Sequence, residues 1–319
     1  MKMKLKSMFI LGIVGIILNG CASSNTGKAL PSVPGTTSNA ESLVRETSDP
    51  SIERYPSISP DGKFLLYNAI EDSRTTSTNT TGQAVIRTDR RSIIVKKEVG
   101  KPTKSPLLQN ASDPVWMPNG NVMCTYTKPT KPVIIRTSSE GVGLNYVSQG
   151  EMGEDDAEPA VSNDGSKIFF TTIIGNTRMV CSMDIKGGNY TVITEGGHVR
   201  VNPRDNTKII YNLRVGNFVQ LFTMDMKSGQ KTQVTSGDNN NRDGAYSLDG
   251  KYIAYSSNRE NPKGRNYHIY VMSSDGTGIN QLTQGSTDEG EPCWSPDGWV
   301  YFYSNAEKNY NIWKVKPRF

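Results

Sequence analysis

Hydrophobic positions in this chain fall in short bursts rather than in helical stripes. Runs such as "KFLLY", "NVMCTY", "SKIFF", "TKIIY", "KYIAY" and "WVYFY" are apolar at consecutive positions, and each follows a polar turn phrase. Apolar runs of that length, hydrophobic on both faces, suit strands sandwiched between neighbouring layers. No long segment repeats at the period of an amphipathic helix, and 30 Gly and 17 Pro in 319 residues supply the turns that many short strands need. The pattern predicts an all-β fold.

The turn phrases recur. "SISPDGKFLLY", "VWMPNGNVMCTY", "AVSNDGSKIFF", "RVNPRDNTKIIY", "AYSLDGKYIAY" and "CWSPDGWVYFY" align on Asp61, Asn119, Asp164, Asp205, Asp249 and Asp297, at intervals of 58, 45, 41, 44 and 48 residues. A period of about 40 to 50 residues with several strands per unit belongs to β-propellers, so six four-stranded blades are predicted. The turn chemistry makes "SPDG" a hinge between strands: Pro pre-sets φ, Asp bonds back to its own backbone, and Gly takes the left-handed conformation. In the fourth copy Asn206 is expected to replace that Gly. The sixth copy stops at Phe319 after its third strand, "YNIWKVK". An open blade would leave unpaired backbone groups, so "ESLVRETS", residues 41–48, is predicted to supply the missing strand and close the ring.

Lys2, Lys4 and Lys6 precede an apolar run from Met8 to Leu18 that ends in "LNGC". The run is about half the ~20 residues that a membrane-spanning helix needs, and it reads as a secretory signal. Its ending resembles a bacterial lipobox, which implies diacylglycerol on the thiol of Cys21 and a membrane anchor. The predicted organisation is a signal peptide over residues 1–20, a Ser/Thr/Gly/Pro-rich lipidated tether over 21–40, and the propeller over 41–319. Signal removal takes three of 36 basic residues and none of 31 acidic ones, leaving a surplus of two and little support for a nucleic-acid partner. Cys124, Cys181 and Cys293 lie in three different repeats and read as unpaired thiols.

"EPCWSPDG", "KYIAYSSNR", "HIYVMSSDGTGINQLT" and the six-fold count resemble the propeller of the TolB family, over residues 41–319 and best in the fifth and sixth copies. The chain has no room for the separate N-terminal α/β domain through which TolB proteins meet other Tol proteins, so the resemblance implies a TolB-like envelope lipoprotein rather than a direct Tol role. Antiparallel order puts the "SPDG" turns on one face and the longer loops on the other, where a rigid scaffold usually binds partners. That face is expected to carry "EDSRTTSTNTTGQ" (residues 71–83), "EMGEDDAEP", "GDNNNRDG", "NRENPKGRN" and "STDEGEP". Acids recur before the first strand of the blades, at Asp113, Asp156, Glu158, Asp243, Glu289 and Glu291, and Arg74, Arg242, Arg259 and Arg265 share their rim. A mixed-charge mouth of this kind suits an envelope protein or peptide, and pairing of acids with arginines between blades is the structural alternative.

Catalytic signals are absent from the sequence. Only His198 and His268 occur, neither with a serine or carboxylate at motif spacing, and there is no G-x-S-x-G, H-E-x-x-H or phosphate loop. The stretch "NNNRDG" begins like a calcium loop, but Gly250 stands where its bidentate Glu belongs. The expectation is a monomeric, non-catalytic protein-binding scaffold without cofactor or metal; the rival is a propeller that binds or hydrolyses an envelope glycan or peptide, its triad assembled from distant loops.

Overall fold

The computed structural model describes residues 34–78, 84–127, 131–149 and 153–319. Six four-stranded antiparallel sheets follow one another along the chain. Their innermost strands are Ile52–Ile58, Ala111–Trp116, Glu154–Val161, Gly197–Asn202, Asn241–Tyr246 and Glu289–Trp294. Blades 1 to 6 are numbered in that order.

The consecutive apolar positions have a direct cause. In each second strand, adjacent side chains point to opposite sides of the sheet and enter different interblade cores. Leu65 packs with Tyr301, Tyr303 and Ile312 of blade 6, whereas Leu66 packs with Val122, Cys124 and Ile135 of blade 2. Phe170 faces Met123 and Ile134 of blade 2, and Phe169 faces Ile209 and Tyr211 of blade 4. Ile253 and Ala254 divide in the same way between blades 4 and 6. A strand buried on both faces cannot alternate apolar with polar residues.

Blade 6 takes its fourth strand from the N-terminal side: Ala40–Arg45 pairs antiparallel with Asn311–Pro317, with Leu43 opposite Val315. The closing segment is fastened by charge. Glu46 is buried between the ammonium groups of Lys97 of blade 1, at 2.6 Å, and Lys314 of blade 6, at 3.0 Å, and it also accepts the Gly100 N–H. The packed body begins before residue 41, because Gly35–Thr36 pairs with Thr283–Gln284 of blade 5 and the Thr37 N–H reaches the Leu282 carbonyl. Residues 34–39, assigned to the tether from sequence, therefore lie on blade 5.

A hydroxyl relay ties blades together. Thr47 accepts the Ile312 N–H at 2.8 Å and donates to Glu53 in the first strand of blade 1. Thr283 accepts the Ile269 N–H at 2.9 Å and donates to Glu289 in the first strand of blade 6. Thr235 accepts the Leu221 N–H at 2.8 Å, and Ser148 accepts that of Ile134 at 2.8 Å.

Two local expectations are corrected. Gly62, Gly120, Gly165, Gly250 and Gly298 have positive φ in their turns, but Asn206 does not. The fourth hairpin closes one residue earlier, with Asn202 opposite Asp205 across Pro203 and Arg204, so no left-handed residue is required; the Asn206 side chain instead accepts the Asn163 N–H of blade 3. Residues 71–78 are not loop but the far end of a 15-residue strand, Phe64–Thr78, paired with Ala84–Glu98. Beyond the Ile52–Ile70 and Ile93–Gln109 pairings this ribbon has no third strand among the described residues, so blade 1 extends an arm from the loop face. Its Thr- and Ser-rich alternation is compatible with a solvated strand. Residues 79–83 of the expected loop lie outside the described residues.

Candidate functional site

Each first strand carries a bulge, seen as a register shift at Arg54/Ser57, Ser112/Val115, Ala157/Ala160, Gly197/Arg200, Arg242/Ala245 and Gly290/Cys293. At each bulge one non-glycine residue has positive φ: Tyr55, Asp113, Glu158, His198, Asp243 and Glu291, between 51° and 61°. Six bulges at equivalent positions, one per blade, place these residues as a ring around the axis. The unusual backbone is held by neighbours. The Tyr55 N–H donates to Glu291, that of Glu158 to Thr125, that of His198 to both Glu158 and Thr171, and that of Asp243 to Asn212. A bulge re-aims a side chain and frees an N–H, and here the adjoining blade accepts it.

His198 stands between carboxylates of two other blades. Its Nδ1 is 3.4 Å from Glu158 and its Nε2 is 3.6 Å from Asp243. Burial alone would lower the imidazole pKa, but Asp243 and Glu158 outweigh it and raise it above the ordinary value. Burial also opposes ionisation of the two acids. His198 and Arg178 nevertheless hold Glu158 well below its usual range, and His198 and Arg242 lower Asp243. Asp113 shifts upward through burial and the nearby Glu158. Burial pushes Glu291 to about 7, although Arg54 lies 2.7 Å away. The ring thus combines an imidazole held between two carboxylates with a carboxyl group whose pKa burial raises to about 7.

The ring is a waist between two cavities. On the turn side a space of about 230 Å³ has apolar walls, including Trp116, Tyr246, Pro292 and Trp294, above Asp113, His198, Asp243 and Glu291. On the loop side a space of about 510 Å³ is lined by Arg54, Arg178, Arg214 and Arg242 above Glu158, His198, Asp243 and Glu291. Two of these arginines rest on aromatic rings: Arg242 lies 3.9 Å from the centroid of Tyr267, and Arg54 lies 4.6 Å from that of Tyr303. Cation–π contact fixes each guanidinium while leaving most of its N–H groups directed elsewhere.

Among the residues singled out from sequence, Glu158, Asp243 and Glu291 converge on the waist with Asp113, and Arg242 stands beside them. Asp156 and Glu289 lie two positions earlier and point into the body; Asp156 is 3% exposed and Glu289 0%, the latter accepting the hydroxyls of Thr283 and Thr287. Arg259 is turned onto Tyr270, 4.8 Å from its centroid, and bonds the Tyr255 hydroxyl, whereas Arg265 is exposed on the same loop. Arg74 is in the arm opposite Thr88, and its side chain lies outside the described set. Reading acids alone missed Tyr55, His198 and Arg54. The signal was a spacing: Tyr55, Asp113, Glu158, Asp243 and Glu291 each stand six residues before the turn Asp or Asn, and His198 stands six before Arg204.

Of the thiols, Cys124 and Cys181 are buried and unpaired, and Cys293 is half-buried on the turn-side cavity.

Six closed four-stranded blades around a charged waist define a six-bladed β-propeller with a cavity on either side of that waist. The family model described as the TolB beta propeller domain matches residues 201–316, which cover the fourth to sixth blades. Over those residues the chain resembles the TolB propeller. TolB of Acinetobacter baumannii superposes with a TM-score of 0.56 at 19% identity, over 71% of this chain and 60% of that one, so this chain spans about three-fifths of that relative's length. A protein of Agrobacterium tumefaciens provisionally described as TolB gives 0.63 at 16% identity, over 86% and 97%. An oligogalacturonate lyase of Vibrio parahaemolyticus gives 0.56 at 12% identity, over 90% and 97%. At these identities the likeness to solved structures is one of fold.

Proposed function

We propose that the protein is a non-catalytic scaffold of the bacterial cell envelope, anchored by lipid on Cys21, that binds an envelope protein or peptide at the loop-side mouth of its propeller. The observation that carries this reading is the pair of aromatic-backed arginines, Arg54 on Tyr303 and Arg242 on Tyr267, beside an open cavity. Rigid arginine and tyrosine side chains at the centre of a concave surface are the chemistry of interface hot spots. His198 supports binding over catalysis, since both ring nitrogens face carboxylates and no hydroxyl or thiol nucleophile stands in hydrogen-bond contact with it through a side-chain nitrogen among the described residues.

The test is capture of envelope proteins by the purified body, comparing wild type with the double variant Arg242→Ala/Tyr267→Ala. Loss of capture by a variant that retains the wild-type circular dichroism spectrum is expected; undiminished capture contradicts the reading. The anchor is tested separately by metabolic labelling with a fatty-acid analogue. Label should disappear in Cys21→Ala, and label that persists rules out this lipidation site.

A further inference from the structure

We propose that the loop-side cavity recognises carboxylate side chains, presented by an acidic, extended segment of the partner; this rests on the reading that the loop face is where a protein binds. The argument is one of unspent donors. Glu158 is already bonded to Arg178 at 2.7 Å and to the His198 N–H, Glu291 to Arg54 and the Tyr55 N–H, and Asp243 faces His198, Arg242 and Asn212. The remaining carboxylate of the lining, Glu195, is exposed at the rim. The acceptors at the waist are therefore committed within the protein.

The guanidinium groups are not. Each offers several N–H donors in a planar fork, yet among the described residues Arg178 and Arg54 each spend one hydrogen bond on a carboxylate, Arg242 bonds the Tyr303 hydroxyl at 3.3 Å and lies 3.5 Å from Asp243, and Arg214 bonds the Asn217 carbonyl of its own turn. The Nε atoms of Arg54 and Arg242 are buried without a hydrogen-bond partner among the described residues. A cavity with surplus donors on preorganised arginines is complementary to planar, acceptor-only groups, which is what ionised carboxylates are.

Charge around the mouth points the same way. The connections between second and third strands of blades 3 to 5, together with the strand ends that flank them, carry Arg178, Arg214, Arg259, Lys263 and Arg265 against the single acid Glu260. On the opposite face of the same blades acids stand among the cations, as Asp164 with Lys167, Asp184 with Lys186 and Asp249 with Lys251. A cavity of about 510 Å³ admits a few side chains, not a folded domain. An extended segment is the form of protein that enters it.

The probe is a synthetic peptide of alternating glutamate and serine with an amidated C-terminus, titrated calorimetrically into the purified body. A glutamine–serine peptide with a free C-terminus and an acidic polysaccharide are run beside it. Binding of the glutamate peptide alone is expected, weakening by roughly tenfold or more as salt rises from about 50 to about 300 mM. Arg214→Glu should weaken it by about tenfold, and Arg214 is exposed and bonds only within its own turn, so the fold is not at stake. Arg178→Gln is the second variant, expected to weaken it in the same direction. Equal binding of the glutamine peptide, binding of the polysaccharide alone, or indifference to both substitutions overturns the inference. Capture of an envelope protein at this face that ignores salt and Arg214→Glu overturns the acidic segment while leaving the scaffold standing; no capture at all removes both.

Discussion

At the scale of single residues, buried titratable groups shape how stability follows pH, Glu53 and His198 among them. Glu53 is fully buried beside Thr47 and Asn311, and burial raises its pKa from 4.5 to about 7. A carboxyl group with a raised folded pKa binds its proton more tightly in the native state, so stability falls as pH rises from about 4.5 towards about 7. Glu53→Gln should make the fall of thermal stability across that window shallower by up to about 3 kcal/mol, leaving the part that Glu291 contributes; a melting profile as steep as wild type would show that Glu53 contributes none of it. His198 has the same sign. Its raised pKa adds stability fully present below the ordinary imidazole value and lost as pH climbs through the folded one. With only two histidines in the chain, the His198 resonance can be followed by NMR. Its midpoint should lie above that of free imidazole side chains and drop in Glu158→Gln; an unmoved midpoint would mean that the Glu158 contact is not electrostatic.

At the scale of elements, the closing strand couples first and last blades through a buried triad rather than through its ladder alone. Removing one member strands the others. Glu46→Ala leaves the ammonium groups of Lys97 and Lys314 largely buried without their shared anion, a loss of about 3 kcal/mol. Glu46→Gln, which keeps the hydrogen-bonding shape, should lose less. Chemical denaturation distinguishes them, and equal stability of Glu46→Ala and wild type would contradict a clasp made by charge. The strand itself was legible in sequence, because "YNIWKVK" ends without a fourth partner and "ESLVRETS" has the apolar content of one. The triad was not, since Lys97 and Lys314 are distant in sequence and only ring closure brings them to Glu46. The arm of blade 1 was misread for a related reason: Thr and Ser between charged residues look like loop until their partners, such as Arg91 opposite Glu71, are in register.

At the scale of the molecule, six repeats give a closed ring, and the ring turns a local bulge into a shared site. The repeated turn phrases made blade number readable, because five copies carry Asp or Asn followed by a Gly of positive φ at the hinge and the fourth only shortens the turn. The waist was half readable. Its four acids stood out as charge, whereas Tyr55 and His198 shared only position with them, and position has meaning only once the bulges are known. Acids two residues earlier, Asp156 and Glu289, share the composition but face the interblade core. The two mouths differ in chemistry, arginine-lined against apolar-walled, so partner binding should be confined to one. Site-specific photocrosslinking in intact cells tests this most directly, with the crosslinker placed at Arg214 or Arg265 on the loop face and at Lys227 or Lys251 on the turn face, all exposed. Adducts to a common envelope protein from Arg214 and Arg265, and none from Lys227 or Lys251, are predicted; adducts from the turn-face positions alone would contradict the account.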